Sequence, residues 1–193
     1  GATDLLFALT AHELAELLPG MPIYIEGLNE TIACGATEDI RRVVEFERAF
    51  CYKLAALPFA DFRPASPNIA VGNPEHGAEM EMLVPLGRAI AKTGGTGTYH
   101  AYWPAIGDEV WLERDWRHYA GRWTEIDKVF RQHGIRIPWM LTEGGPVGGE
   151  INWHEGLQKH IPSLNPGAGW RDEKCLDGDW DRAMAQHITF DQL

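Results

Sequence analysis

Short apolar runs alternate along the chain with longer stretches of helical periodicity. Thr10-Ala11-His12-Glu13 has the form of a capping box, with Leu14, Leu17 and Leu18 on one face, and this helix stops at Pro19-Gly20. Met21 to Glu26 reads as a strand buried on both faces. Thr37 can cap a second helix, with Glu38 and Asp39 in its first turn. The apolar stripe of that helix reads as Val43, Phe46, Phe50, Leu54 and Leu57, and Pro58 ends it. Pro67 to Gly72 forms a second strand, a weaker helix runs from Ala78 to Ala91, and Thr96 to Tyr102 forms a third strand. Trp116, Tyr119, Ala120, Trp123, Ile126 and Phe130 share one helical face, with Gly134 as the stop. Ile137 to Thr142 is a fourth strand, and a Gly/Pro-rich segment from Gly144 to Arg171 precedes a last helix from near Asp179. This order predicts an α/β sheet of parallel strands with crossover helices, in one domain over residues 1–193.

Composition narrows the partners. The 193 residues carry 28 Asp plus Glu against 17 Lys plus Arg, a net charge of −11, which repels phosphate backbones and argues against nucleic acid. No apolar run reaches the roughly 20 residues of a membrane span, so no membrane partner is expected. The start, Gly1-Ala2-Thr3-Asp4, has neither an initiator Met nor the regions of a signal peptide, and reads as a processed product or part of something longer; the compartment stays open. Cys34, Cys51 and Cys175 are odd in number and lack a CxxC pair, which disfavours a disulfide framework or a zinc ribbon.

Ligands of such sheets bind at the carboxyl ends of the strands. Those ends carry Asn29-Glu30, then Asn73-Pro74-Glu75-His76, then His100-Ala101-Tyr102-Trp103, then Thr142-Glu143-Gly144-Gly145. Paired carboxylates beside aromatic surface suit glycoside hydrolysis, where one acid protonates the leaving oxygen and another attacks or stabilises the anomeric carbon. Trp103 and Trp170 are candidate sugar platforms, with loop anchors as the alternative. Glu26, inside its strand, reads instead as a salt-bridged residue, and Glu75 as a loop surface residue.

A strand ending in Asn-Glu, a later one ending in His-x-Tyr and a later one ending in Thr-Glu-Gly resemble the clan A glycoside hydrolases, retaining enzymes on a (β/α)8 barrel. The long loop with Gly169-Trp170-Arg171-Asp172 is also similar to bacterial and phage proteins of this type. The resemblance runs from Ile23 to Leu193 and implies roles residue by residue. Glu30 would be the general acid/base, Asn29 the ligand of the sugar 2-hydroxyl, and Glu143 the nucleophile. His100 and Tyr102 would line the cleft, with Tyr102 orienting Glu143. A carbohydrate is the implied substrate, and neither a metal nor an organic cofactor is implied. A retaining pair would place the two carboxyl groups about 5–5.5 Å apart.

The resemblance starts at the clan's fourth strand and stops inside the helix after its seventh. The expected fold is therefore a partial (β/α)8 TIM barrel, incomplete in this chain, lacking the first three strands and the last. Its two edges would be paired to a second copy, completed by a missing segment, or sealed by the Gly144–Arg171 loop. A second reading follows from the same incompleteness: a non-catalytic carbohydrate-binding or structural remnant of a barrel. Other motifs fall away. His154 and His160 stand six residues apart, which rotates them off a shared metal face. Thr93-Gly94-Gly95-Thr96-Gly97 precedes its strand and so cannot cradle a phosphate, and no serine nucleophile elbow is present.

Overall fold

The computed structural model describes residues 20–32, 35–58, 61–104 and 119–147, together with Glu13 and Glu16. The described elements are β1 (Ile23–Glu26), α1 (Thr37–Ala55), β2 (Phe62–Ile69), α2 (Gly77–Glu81), α3 (Val84–Thr93), β3 (Thr96–Pro104), α4 (Arg122–Gln132) and β4 (Trp139–Val147). Glu13 and Glu16 are helical, while the rest of the helix expected from Thr10 lies outside the described residues. So do Cys34, Trp116, Trp170, Cys175, the histidines at 154 and 160, the long loop beyond Val147 and the last helix.

The strands form one four-stranded sheet in the order β1-β2-β3-β4, all parallel, and the architecture is α/β. Neighbours in space are neighbours in the chain, whereas a doubly wound sheet reverses its order at a switch point. Ile23 pairs with Phe62 and Glu26 with Ala65 in the first ladder; Ala65 pairs with Thr96 and Asn68 with Thr98 in the second. The Gly97 N–H donates to the Pro138 carbonyl at 2.9 Å, ahead of β4. By its internal contacts the chain divides into two compact units, Gly1–Tyr99 with Ile126–Met140, and His100–Glu125 with Leu141–Leu193.

In the first unit α1 packs on β2 and α3. Leu54 and Phe62 form a buried cluster against Ile23, Ile25, Phe50 and Leu57. A second packed column is built on glycine: the Phe130 ring lies where a Cβ on Gly87 would project, and the Trp139 ring where one on Gly97 would. Phe130 and Trp139 stack with centroids 6.1 Å apart, and Trp139 Nε1 donates to Asp127 Oδ1 at 3.2 Å.

Several expectations change. Among the described residues β1 is an edge strand, with Ile23, Tyr24 and Ile25 only half-buried, not a strand buried on both faces. Thr37 is the first helical residue; Ala36 occupies the cap position and no side chain caps it. The buried stripe of α1 is Ile40, Val43, Val44, Glu47, Cys51 and Leu54, while Phe46 is 51% exposed. Phe46 lies about 120° around the helix from the centre of that stripe, which is why apolarity alone misplaced it. β2 starts at Phe62 rather than Pro67, despite Pro64 and Pro67 within it. The ladder absorbs the second of these at a register shift between Ala65 and Asn68, the kind of irregularity at which strand prolines are found. The helix expected over Ala78 to Ala91 is two helices, the second begun by Pro85 in its first turn. β4 continues to Val147, so Glu143 stands inside the strand and not at its end. Gly134 stops α4 as expected, at a φ of +72°.

Candidate active site

Glu30 and Asn29 belong to the first unit; His100, Tyr102 and Glu143 belong to the second.

β1 delivers its last residue, Glu26, into an exit that still follows β2. The Gly27 N–H donates to the Ala65 carbonyl at 3.1 Å, and the Glu30 N–H to the Asn68 carbonyl at 2.9 Å. Asn29 forms an isolated parallel bridge with Asn68. Asn29 and Glu30 are both exposed, and Glu30 has a φ of +51°. A left-handed non-glycine residue is uncommon and persists where its surroundings dictate the backbone. Glu26 is exposed and forms no ion pair among the described residues, so the salt-bridged role expected for it is absent there.

Beneath this exit lies a residue that sequence reading passed over. Glu47 is fully buried on α1, and its carboxylate accepts from the Leu28 N–H at 2.6 Å and from Ser66 Oγ at 2.7 Å. Gly27 leaves the space: a Cβ there would stand 2.5 Å from Glu47 Oε1 and 2.6 Å from its Cδ. Burial pushes the Glu47 carboxyl above the ordinary glutamate range, opposed by the Ser66 and Leu28 hydrogen bonds. One turn on, burial and then the Glu47 charge push the Cys51 thiol up to about 12. The available signal was spacing, since Glu47 stands seven residues after Ile40 and seven before Leu54 on the same helical face.

In the second unit, Tyr102 Oη donates to Glu143 Oε2 at 2.6 Å. His100 Nδ1 lies 3.7 Å from the same oxygen; the His100 side chain is 1% exposed and that of Glu143 47%. The His100 and Tyr102 rings meet edge to face at 6.3 Å. Residues two apart on a strand share a face, so β3 presents both rings on one side. Gly144 permits a close pass of β4 along β3, because a Cβ there would meet the Ala101 carbonyl oxygen at 3.1 Å. Glu143 is thus an accessible carboxylate held by a phenol and backed by a buried imidazole. A carboxylate fixed in this way is suited to act as a nucleophile or as an electrostatic partner for a cationic centre. Trp103 lies in β3, and its side chain, like all of Trp170, is outside the described residues.

No protein-family model, curated protein or solved structure matches the chain. Among the described residues no helix is long and apolar enough to cross a membrane.

Proposed function

We propose that this chain is a retaining glycoside hydrolase on part of a (β/α)8 barrel. The observation that carries the reading is the Tyr102–Glu143 hydrogen bond of 2.6 Å on adjacent parallel strands. Glu143 attacks the anomeric carbon while Glu30 gives its proton to the departing glycosidic oxygen, forming a glycosyl ester on Glu143. Glu30, now a carboxylate, takes a proton from water, whose oxygen attacks the same carbon and releases Glu143. Two inversions restore the starting anomeric configuration. Asn29, on the strand exit that carries Glu30, binds the sugar 2-hydroxyl in this proposal, and Tyr102 orients the nucleophile. His100, buried behind the carboxylate, excludes water from that side; Trp103 and Trp170 are the aromatic platforms of this proposal.

The test is hydrolysis of a panel of aryl glycosides, with the anomer of the first product identified by NMR. Retention, together with loss of turnover in a folded Glu143→Gln variant, supports the proposal. Inversion, or undiminished turnover in that variant, refutes it. A second reading rests on the strand count, since the described residues supply four parallel strands where a closed barrel has eight. On that reading the chain binds carbohydrate without cleaving it, and titration of an oligosaccharide that stays intact selects it.

A further inference from the structure

We infer that Glu47 is a positioning residue for the acid/base Glu30, anchoring the β1 exit from which Asn29 and Glu30 project. This rests on the role proposed for Glu30. A parallel ladder takes a hydrogen bond from every second N–H of a strand. Just beyond β1 those donors are Gly27, to the Ala65 carbonyl, and then Glu30, to the Asn68 carbonyl, three residues on. The ladder therefore steps between them, and the Leu28 N–H, within the step, goes to the Glu47 carboxylate at 2.6 Å. The second carboxylate oxygen is tied to Ser66 on β2 at 2.7 Å, so one side chain joins the exit of β1 to its neighbour strand. Gly27, bare of a Cβ, is what admits the carboxylate to that point.

The step ends at Glu30, whose φ of +51° persists where its surroundings dictate the backbone. The Asn68 carbonyl takes the Glu30 N–H, and Glu47 fixes the chain two residues earlier, at Leu28. Glu47 is an unfavourable choice for stability alone, because a carboxylate fully buried on an otherwise apolar stripe carries a desolvation penalty. Its geometry accounts for its presence: it reaches the N–H immediately before Asn29-Glu30, and its two oxygens join Leu28 to Ser66.

The experiment uses the full chain with Glu47→Ala, Glu47→Gln and Ser66→Ala. Amide hydrogen exchange is followed at Leu28 and Glu30, with Ile40 and Ile90 as core references. Loss of a hydrogen bond to a charged group corresponds to roughly ten- to hundredfold faster exchange at Leu28. That rise is expected in Glu47→Ala with Ile40 and Ile90 unchanged, and Glu47→Gln, which keeps an acceptor for Leu28, restores protection. Should Glu47→Ala not fold, Ser66→Ala decides, since it frees the carboxylate from one tether and raises exchange at Leu28 but not in the core. Equal rises throughout, no rise at Leu28, or failure of Gln to restore it overturns the inference. In kinetics, Glu47→Ala is expected to lower kcat about tenfold on glycosides with poor leaving groups, with KM and activated aryl glycosides little changed. Equal loss on both substrate types overturns the positioning role even when exchange behaves as expected. A wild-type chain inactive on every glycoside, with the exchange pattern intact, instead overturns the role of Glu30 and leaves Glu47 as the anchor of the strand exit.

Discussion

Gly27→Ala is the sharpest probe of the strand exit. The φ of Gly27 is outside the left-handed region, so alanine is compatible with the backbone itself. Reduced freedom of the unfolded chain would then stabilise the variant by about 0.4–1 kcal/mol. Against this, the new Cβ would sit 2.5 Å from Glu47 Oε1 and 2.6 Å from Glu47 Cδ. The carboxylate ends a flexible side chain and can swing away, so the cost is not an unrelieved clash. It is the loss of the bonds from Leu28 and Ser66, each worth about 1.5–3 kcal/mol to a charged acceptor. Better hydration of the displaced carboxylate returns part of that. The net expectation is destabilisation by about 2–4 kcal/mol, read as a lower urea midpoint at constant m. A double-mutant cycle isolates the cause. Glu47→Ala clears the space, so Gly27→Ala in that background should cost almost nothing, a coupling of at least about 1.5 kcal/mol. An unchanged or raised midpoint for Gly27→Ala, or additive effects in the cycle, would refute the reasoning.

Other expectations concern the same side chains. Tyr102→Phe deletes the hydrogen bond to Glu143 and should lower kcat/KM on aryl glycosides roughly ten- to hundredfold with the fold retained; an unchanged rate removes Tyr102 from the site. Because the Glu47 carboxyl is raised in the folded state, the folded chain holds that proton more tightly than the unfolded one. Its contribution to stability is therefore full below the ordinary glutamate range and is lost as pH rises through the raised value. Glu47→Gln should gain on wild type as pH rises above the ordinary glutamate range, and a constant difference between the two unfolding curves would contradict this. Cys51, buried and with its thiol at about 12, should resist alkylation at neutral pH until the chain unfolds; peptide mapping after labelling shows whether it does.

Much of the architecture was legible in the chain because the signals are local. Each described strand overlaps a short apolar run, and the helices at Thr37–Ala55 and Arg122–Gln132 overlap stretches with a period near 3.6. The parallel, sequential sheet follows from alternating strands and helices, since a crossover helix between two strands returns the second in the same direction. The candidate residues Asn29, Glu30, His100, Tyr102 and Glu143 were likewise visible, as polar side chains at or near the ends of apolar runs. What sequence could not rank was burial among apolar residues: Phe46 and Val44 are equally plausible stripe members until the helix is laid on β2.

The sequence by itself determined element type, strand direction and which polar residues ride on the strands, because hydrophobic period and turn chemistry act within a few residues. Only tertiary structure decided where β2 begins and how far β4 runs, since prolines and glycines in a strand are tolerated or not according to the neighbouring ladder. It also decided that Tyr102 meets Glu143, forty-one residues later in the chain. The joining of Glu47 to Leu28 and Ser66 is of the same kind, because a buried carboxylate is stable only where distant donors converge on it.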